Sequence, residues 1–73
     1  MKLTENQRTE IRRAVVQYAN DIADGLEDTP EEHRTEALAE YVGDQLMSFP
    51  WYAEADYDDR RAYVLECSNG MVL

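Results

Sequence analysis

The side chains best suited to nucleophilic or acid–base catalysis are His33 and Cys67, each the sole residue of its type. A catalytic thiol needs a base beside it and a third group that orients the base. No local motif brings His33 and Cys67 together, and no third group is evident. The chain has only three glycines and no phosphate-binding glycine loop, and its carboxylates are too numerous to single out an acid–base pair. We therefore expect a protein that is not an enzyme.

The run from Glu54 to Asp59 holds four carboxylates around Tyr57, a composition that calcium-binding loops use. In such a loop a glycine and further oxygen ligands would follow, but Arg60 and Arg61 occupy those positions. A single cysteine and a single histidine give no zinc-binding spacing. We expect neither a metal nor a cofactor, and we interpret the run as the solvated start of a helix.

Acidic residues dominate the middle of the chain. Sixteen Asp and Glu against seven Lys and Arg give a net charge of −9. Residues 1–20 carry a net charge of +2, residues 21–59 hold thirteen carboxylates against Arg34 alone for a net of −12, and residues 60–73 carry +1. A negative surface repels phosphate, so we expect no direct binding to nucleic acid or to anionic membranes. The pattern favours a basic partner, or else serves solubility alone.

The length of 73 residues predicts one small domain spanning 1–73, which buries only about 60% of the surface of its unfolded chain. A core this thin is consistent with a homodimer, in which a second copy covers the apolar face. One cysteine cannot form an internal disulfide, and no apolar run has the length of a signal or membrane-spanning segment. We expect a soluble protein of a reducing cytoplasm.

The segment from Thr29 to Pro50 predicts the helix around which the chain is organised. Thr29 and Glu32 have the spacing of a capping box, and Pro30 occupies the first helical position. Pro50 ends the pattern, because the residue before a proline is biased away from helical dihedrals. Acidic residues recur at every fourth position with Arg34 as the only local counter-charge, and this acidic row consists of Glu32, Glu36, Glu40 and Asp44.

A first helix is predicted from Thr4 to about Leu26. Thr4 and Gln7 form a second capping box, and apolar residues at intervals of three and four give about six turns, with Gly25 as the candidate breaker. The connection 27–29 is short, which favours an antiparallel hairpin with the second helix. Four carboxylates lie near the C-terminal end of the first helix, where the helix dipole makes negative charge unfavourable. Their presence is therefore not explained by helix stability. They are Asp21, Asp24, Glu27 and Asp28.

Residues 56–73 begin with acids, continue as an apolar stretch and reach Ser68-Asn69-Gly70, which predicts a short third helix with a left-handed stop. The alternative is a C-terminal β-hairpin with strands at 63–67 and 71–73. The predicted fold is therefore an all-α domain, with a short third helix packed across an antiparallel helical hairpin. The predicted core consists of Ile11, Val15, Tyr18, Ile22, Leu38, Tyr41, Val42, Leu46, Val64 and Leu65.

Four aromatic residues, Phe49, Trp51, Tyr52 and Tyr57, surround the end of the second helix. We expect residues 51–55 to form a loop or a single turn whose rings cap the open end of the hairpin. A small bundle needs large side chains in its core, so we interpret the cluster as core. Trp and Tyr also supply interface hot spots. If one ring is exposed, we expect it to be Trp51 or Tyr52.

The carboxylates lead to our functional hypothesis: a non-enzymatic inhibitor or modulator that mimics nucleic-acid phosphates. It would occupy the basic site of a nucleic-acid-binding protein or nucleoprotein complex. In size and charge the chain is similar to small acidic phage and mobile-element products that block restriction or CRISPR defences. The alternative is a small helical interaction or assembly subunit that uses an aromatic, apolar surface. The predicted partner-binding residues are Asp21, Asp24, Glu27, Asp28, Glu32, Glu36, Glu40, Asp44, Trp51, Tyr52, Glu54, Asp56, Asp58 and Asp59.

Overall fold

The computed structural model describes residues 2–72, and the regular secondary structure of that part is helical throughout. Its helices are α1 (Glu5–Asp21), α2 (Ala23–Asp28), α3 (Glu31–Leu46), α4 (Pro50–Glu54) and α5 (Tyr57–Val72). The prediction of an all-α fold is confirmed. The alternative C-terminal β-hairpin is wrong, because α5 continues through the expected turn and residues 2–72 contain no strand. Leu73, the last residue of that alternative, lies outside the described residues.

The first predicted helix forms in two segments. Its capping box is confirmed: the Gln7 amide donates to the Thr4 hydroxyl at 3.1 Å, and the Thr4 amide donates to Gln7 Oε1 at 3.0 Å. The helix is interrupted at Ile22, whose φ and ψ are −112° and 18°. The prediction that Gly25 breaks the helix is wrong, since Gly25 lies inside α2 and the Leu26 amide donates to the Ile22 carbonyl at 2.9 Å.

The start of α3 differs from the prediction. Pro30 is its N-cap and no side chain caps it, so the capping box predicted for Thr29 and Glu32 is wrong. The Thr29 hydroxyl instead donates to the Gly25 carbonyl at 2.9 Å, because the connection is so short that Thr29 is also the C-cap of α2. α3 ends at Leu46, ahead of Pro50, which begins α4. Of the predicted loop or single turn, the structure has the turn.

The long helices α1, α3 and α5 pack pairwise against one another. The rings of Tyr18 and Tyr41 meet edge to face between α1 and α3, with centroids 5.6 Å apart. Thr35, near the start of α3, donates to Asn69, near the end of α5, at 3.3 Å, so these helices run antiparallel. The bundle measures 35 × 19 × 17 Å, with α2 near one end and α4 near the other. Within residues 2–72, no helix has the length and apolar character needed to cross a bilayer.

The core largely follows the predicted apolar faces. Ile11, Val15, Leu38, Val42, Leu46 and Val64 are buried, while Tyr18, Ile22, Tyr41 and Leu65 are half-buried. The sequence pattern missed Leu3 and several small residues, including Ser68, which is fully buried with no hydrogen-bond partner for its hydroxyl. The left-handed stop predicted at Asn69-Gly70 is wrong: no described glycine has a positive φ, and helix α5 continues through both residues.

Candidate partner-binding surface

One end of the bundle carries a group of exposed carboxylates, which we call the acidic end. No ion pair joins any of them to a basic side chain within the described residues. The short connection between α2 and α3 brings the C-terminal acids of the first helix beside the first turn of α3, as the hairpin predicts. Glu31 is not among the predicted partner-binding residues, although its position next to Glu32 was a sufficient signal. The acidic end consists of Asp21, Asp24, Glu27, Asp28 and Glu31.

Arg34 is the only basic residue within 21–59, and its guanidinium is directed to the backbone. Nε donates to the Thr29 carbonyl at 2.9 Å, and an Nη donates to the Glu27 carbonyl at 3.2 Å. Carbonyls at a helix C-terminus lack intrahelical partners and attract cations, so Arg34 completes the end of α2. The sequence indicates Arg34 as a counter-charge of the acidic row. The structure gives it this capping role instead.

The acidic row follows one exposed side of α3, as the four-residue spacing predicts. The helix that faces the row is α5. An Nη of Arg61 lies 4.0 Å from a carboxylate oxygen of Glu36, and Glu32 lies 3.7 Å from His33 Nε2. The sequence showed no counter-charge from α5, because Arg61 is far from the row along the chain. The negative charge of the row is therefore partly offset by Arg61, whereas no ion pair within residues 2–72 offsets the charge of the acidic end.

The aromatic residues gather at the opposite end of the bundle. The Trp51 ring stacks on Phe49 at a centroid distance of 6.2 Å and meets Tyr52 edge to face at 5.8 Å. Tyr52 is only 4% exposed, so the expectation that any exposed ring would be Trp51 or Tyr52 is wrong. Trp51 is half-buried, whereas Phe49 and Tyr57 are 47% and 60% exposed. Tyr52 belongs to the core as the cluster interpretation predicts, and the accessible rings are Phe49 and Tyr57.

Arg60 fixes this aromatic end. One of its Nη atoms donates to the carbonyls of Tyr52, Ala53 and Ala55 at 2.8, 3.0 and 3.3 Å. Its guanidinium carbon also lies 5.1 and 5.5 Å from the ring centroids of Tyr52 and Tyr57. This role of Arg60 was not predicted from the sequence. The signal was present, since Arg60 is the fourth residue of its helix and follows a short helical turn, as Arg34 does.

The acidic run before α5 is mostly solvent-exposed: Glu54, Asp56 and Asp58 are exposed and Asp59 is half-buried. Asp58 and Asp59 lie in the first turn of α5, where negative charge is favoured by the helix dipole. Within residues 2–72, no group of three or more His, Cys, Asp or Glu side chains is placed to hold a metal ion. The run therefore has a structural explanation as the start of a helix.

Cys67 does not resemble an activated nucleophile. Burial raises the pKa of its thiol, and this effect outweighs the hydrogen bond from Tyr63, which lowers it. A reactive cysteine needs the opposite shift, because the thiolate is the nucleophile.

His33 is exposed in the first turn of α3, and its Nε2 lies 3.7 Å from a carboxylate oxygen of Glu32.

Comparison of the chain with protein-family models, curated protein sequences and solved structures finds no match in any of the three.

Proposed function

We propose that this protein is a non-enzymatic inhibitor or modulator that occupies the basic nucleic-acid-binding site of a partner. The observation that carries the proposal is the acidic end, where five exposed carboxylates form no ion pair with a basic side chain of residues 2–72. Such a surface attracts a basic groove over long range and speeds association. The setting would be the cytoplasm of a bacterium, with the gene carried by a phage or mobile element.

The position of these carboxylates supports a role in binding rather than in folding. Asp21 ends α1 and Asp28 ends α2, where the helix dipole disfavours negative charge. Like charges three or four residues apart also destabilise a helix, by about 0.2–0.5 kcal/mol per pair. Both the dipole effect and the repulsion lower the stability of the folded protein. Binding to an external basic partner therefore explains these carboxylates better than folding does.

The dimensions of the molecule support a mimic of a nucleic acid. Its long axis of 35 Å is close to one helical turn of B-DNA, about 34–36 Å. Exposed carboxylates occur at the acidic end, in the acidic row of α3 and in the run before α5. Two of the three arginines of α1 form local ion pairs: Arg8 with Glu5 at 3.8 Å and Arg13 with Glu10 at 3.7 Å. The third, Arg12, donates to the Tyr63 hydroxyl at 2.6 Å.

The proposal is tested by capture from nuclease-treated bacterial lysate, with washes at low and then high salt. We expect a basic nucleic-acid-binding protein or nucleoprotein complex that high salt releases. The captured partner is then purified and titrated with duplex DNA in the presence of this protein. Stoichiometric loss of DNA binding is the expected result, and a partner that binds DNA equally well with this protein bound would contradict the proposal.

Two charge-neutralised variants locate the binding surface. The end variant combines D21N, D24N, E27Q and D28N, and the row variant combines E36Q, E40Q and D44N. Because electrostatic steering changes association rates by about 10- to 1,000-fold, we expect the end variant to lose at least about thirtyfold in affinity at low salt. The row variant should lose less, since Arg61 already offsets part of its charge. Full binding by the end variant would exclude the acidic end as the contact surface.

The second candidate function is a small helical interaction or assembly subunit, and the exposed rings of Phe49 and Tyr57 favour it. Met47 is also about half exposed beside them. In that case the partner, or a second copy in a homodimer, should resist high salt. The double variant F49A/Y57A should then abolish binding that the end variant retains. Light scattering at several concentrations tests the homodimer directly.

A further inference from the structure

A pocket of about 270 Å³ lies between the C-terminal half of α3 and the N-terminal half of α5. Small-molecule sites usually have about 300–1,000 Å³, so this pocket has room for little more than one large side chain. The charged residues that line it are Glu40, Asp44, Arg60 and Arg61. Two carboxylates thus face two guanidinium groups, and this balance of charge favours an uncharged occupant over an ion.

Two of the side chains that line the pocket are large, apolar in character and exposed. Met47 is 46% exposed and Tyr57 is 60% exposed. Tyr52 also lines the pocket, and its ring continues through Trp51 to Phe49, which is 47% exposed. Aromatic residues and methionine are enriched where proteins bind one another, and their anchors fill pockets on the partner. The pocket and its exposed neighbours therefore have the composition of a protein-binding site.

The acidic row leads into the same pocket. Glu40 and Asp44 line it, and Glu36 and Glu32 continue the row along α3 toward the acidic end. Arg61 lies 4.0 Å from Glu36 and offsets part of this charge, so the row keeps an excess of carboxylates. Successive residues of the row are about 6 Å apart along the helix axis. An apolar pocket wall thus lies at the end of a negatively charged strip.

A second copy of this chain is a poor occupant of the pocket. Each copy has a net charge of −9, and a symmetric contact would place two acidic rows against each other. The bundle is 19 × 17 Å in cross-section, so an end-on contact covers about 320 Å², whereas a stable interface needs about 800 Å² per partner. A basic occupant that lies along the row avoids the repulsion and enlarges the contact.

We propose that the pocket receives a large apolar side chain from a basic helix of the partner; that the partner is basic rests on the proposed function. Lysine and arginine residues one turn apart on that helix match the steps of about 6 Å along the acidic row. The apolar side chain enters the pocket and packs against Met47 and Tyr57. The charges speed association, and the buried apolar anchor slows dissociation.

The test is an NMR titration of the ¹⁵N-labelled protein with a synthetic helical peptide that has three lysines spaced four residues apart. A leucine one turn before the lysines and another one turn after them let the peptide bind in either direction. One control peptide has serine in place of both leucines, and a second has glutamine in place of the lysines. We expect the lysine–leucine peptide to shift the amide signals of Gly43, Met47 and Val64, which line the pocket, and to bind at least about tenfold more tightly than either control. Equal affinity of either control peptide, or no shift of these signals at about 1 mM peptide, would overturn the proposal.

Variants distinguish the pocket from apolar surface elsewhere. The double variant M47S/Y57S removes the two exposed side chains of the pocket, and the fold should persist because both are more than 40% exposed. V16S/M71S is its matched control, since Val16 and Met71 are 48% and 41% exposed and do not line the pocket. We expect M47S/Y57S to bind the lysine–leucine peptide about tenfold more weakly and the control to bind it like wild type. Equal affinities of the two variants would overturn the proposal, and circular dichroism verifies that both are helical.

The outcomes for the pocket and for the proposed function separate. If the lysate partner binds M47S/Y57S and wild type equally but fails to bind the end variant, the proposed function stands and the pocket proposal fails. If the lysine–leucine peptide binds the pocket as expected but no basic nucleic-acid-binding protein is captured, the pocket stands and the proposed function fails.

Discussion

The two short helices of this protein are completed in the same way but in opposite surroundings. The C-cap residue that follows each short helix accepts a hydrogen bond from an arginine through its carbonyl: Thr29 after α2 accepts from Arg34, and Ala55 after α4 accepts from Arg60. Each arginine is the fourth residue of the following long helix. Arg60 lies against two tyrosine rings, whereas Arg34 makes backbone contacts next to the five carboxylates of the acidic end.

The same contact, an arginine that donates to the carbonyls at the end of a short helix, thus occurs next to an acidic surface in one place and an aromatic surface in the other. At the aromatic end, Arg60 both donates hydrogen bonds to carbonyls and packs against tyrosine rings, so its removal should lower the stability of the fold. At the acidic end, the guanidinium is directed to carbonyls and leaves the carboxylates without an ion pair. The acidic end thus keeps a high negative charge although it contains an arginine.

The largest expected effect is that of R60A. The variant loses charge-assisted hydrogen bonds to three carbonyls and the contacts with two rings, so the free energy of unfolding should fall by about 2–3 kcal/mol. Urea denaturation followed by Trp51 fluorescence measures it. The control is R61A, whose ion pair is long at 4.0 Å and should matter by less than about 0.5 kcal/mol. Equal losses in both variants would refute the capping role of Arg60.

R34A should destabilise the protein less, by about 1–2 kcal/mol. It loses two backbone contacts and no ring contact. The matched control is R13A, which changes the net charge equally but removes only an exposed pair with Glu10. If the R13A loss in urea denaturation equals that of R34A, net charge rather than capping explains the effect.

Neutralising the acidic end should raise stability. The end variant relieves repulsion and unfavourable dipole contacts, so we expect its free energy of unfolding to increase by about 1 kcal/mol at low ionic strength. The gain should fade above about 0.5 M NaCl, because salt screens exposed charges. The row variant should gain less, because it also loses the contact between Glu36 and Arg61. A gain that is independent of salt would show that repulsion is not its source.

The smallest effect concerns pH at the aromatic end. Burial raises the pKa of Tyr52 above its ordinary value of 10.0, and this outweighs the opposing effect of Arg60. As the pH rises past 10, the unfolded state loses the Tyr52 proton before the folded state does, so stability should fall. Thermal unfolding between pH 9 and pH 11 should show a weaker decline for Y52F than for wild type. Parallel curves would contradict the shift.

Much of the fold was predictable because helical periodicity is local. The apolar spacing located the long helices, and the capping box of Thr4 and Gln7 formed as expected. The equivalent pattern at Thr29 failed, since the same residue also ends α2 and its hydroxyl donates to Gly25. Asn69-Gly70 has the sequence of a helix stop, but α5 runs through it with Ser68 fully buried in the preceding turn.

The negative charge of the candidate surface was predictable from the sequence, but the contacts that its residues make within the protein were less so. The segregation of carboxylates into 21–59 is a property of the sequence, and their exposure follows from the polar faces of the helices. The compensation of Glu36 by Arg61 depends on contacts between residues 25 positions apart along the chain, which no local pattern encodes. The burial of Tyr52 likewise depends on how α4 lies against the bundle.

The sequence by itself determined the helical class, the long helices and the strongly acidic middle of the chain, because periodicity and charge are properties of neighbouring residues. Only the tertiary structure decided which arginines cap short helices, which carboxylates have ion pairs and which tyrosine lies beneath the pocket. The physical reason is distance: hydrogen bonds and ion pairs act within a few ångströms, and packing alone brings residues from separate helices that close.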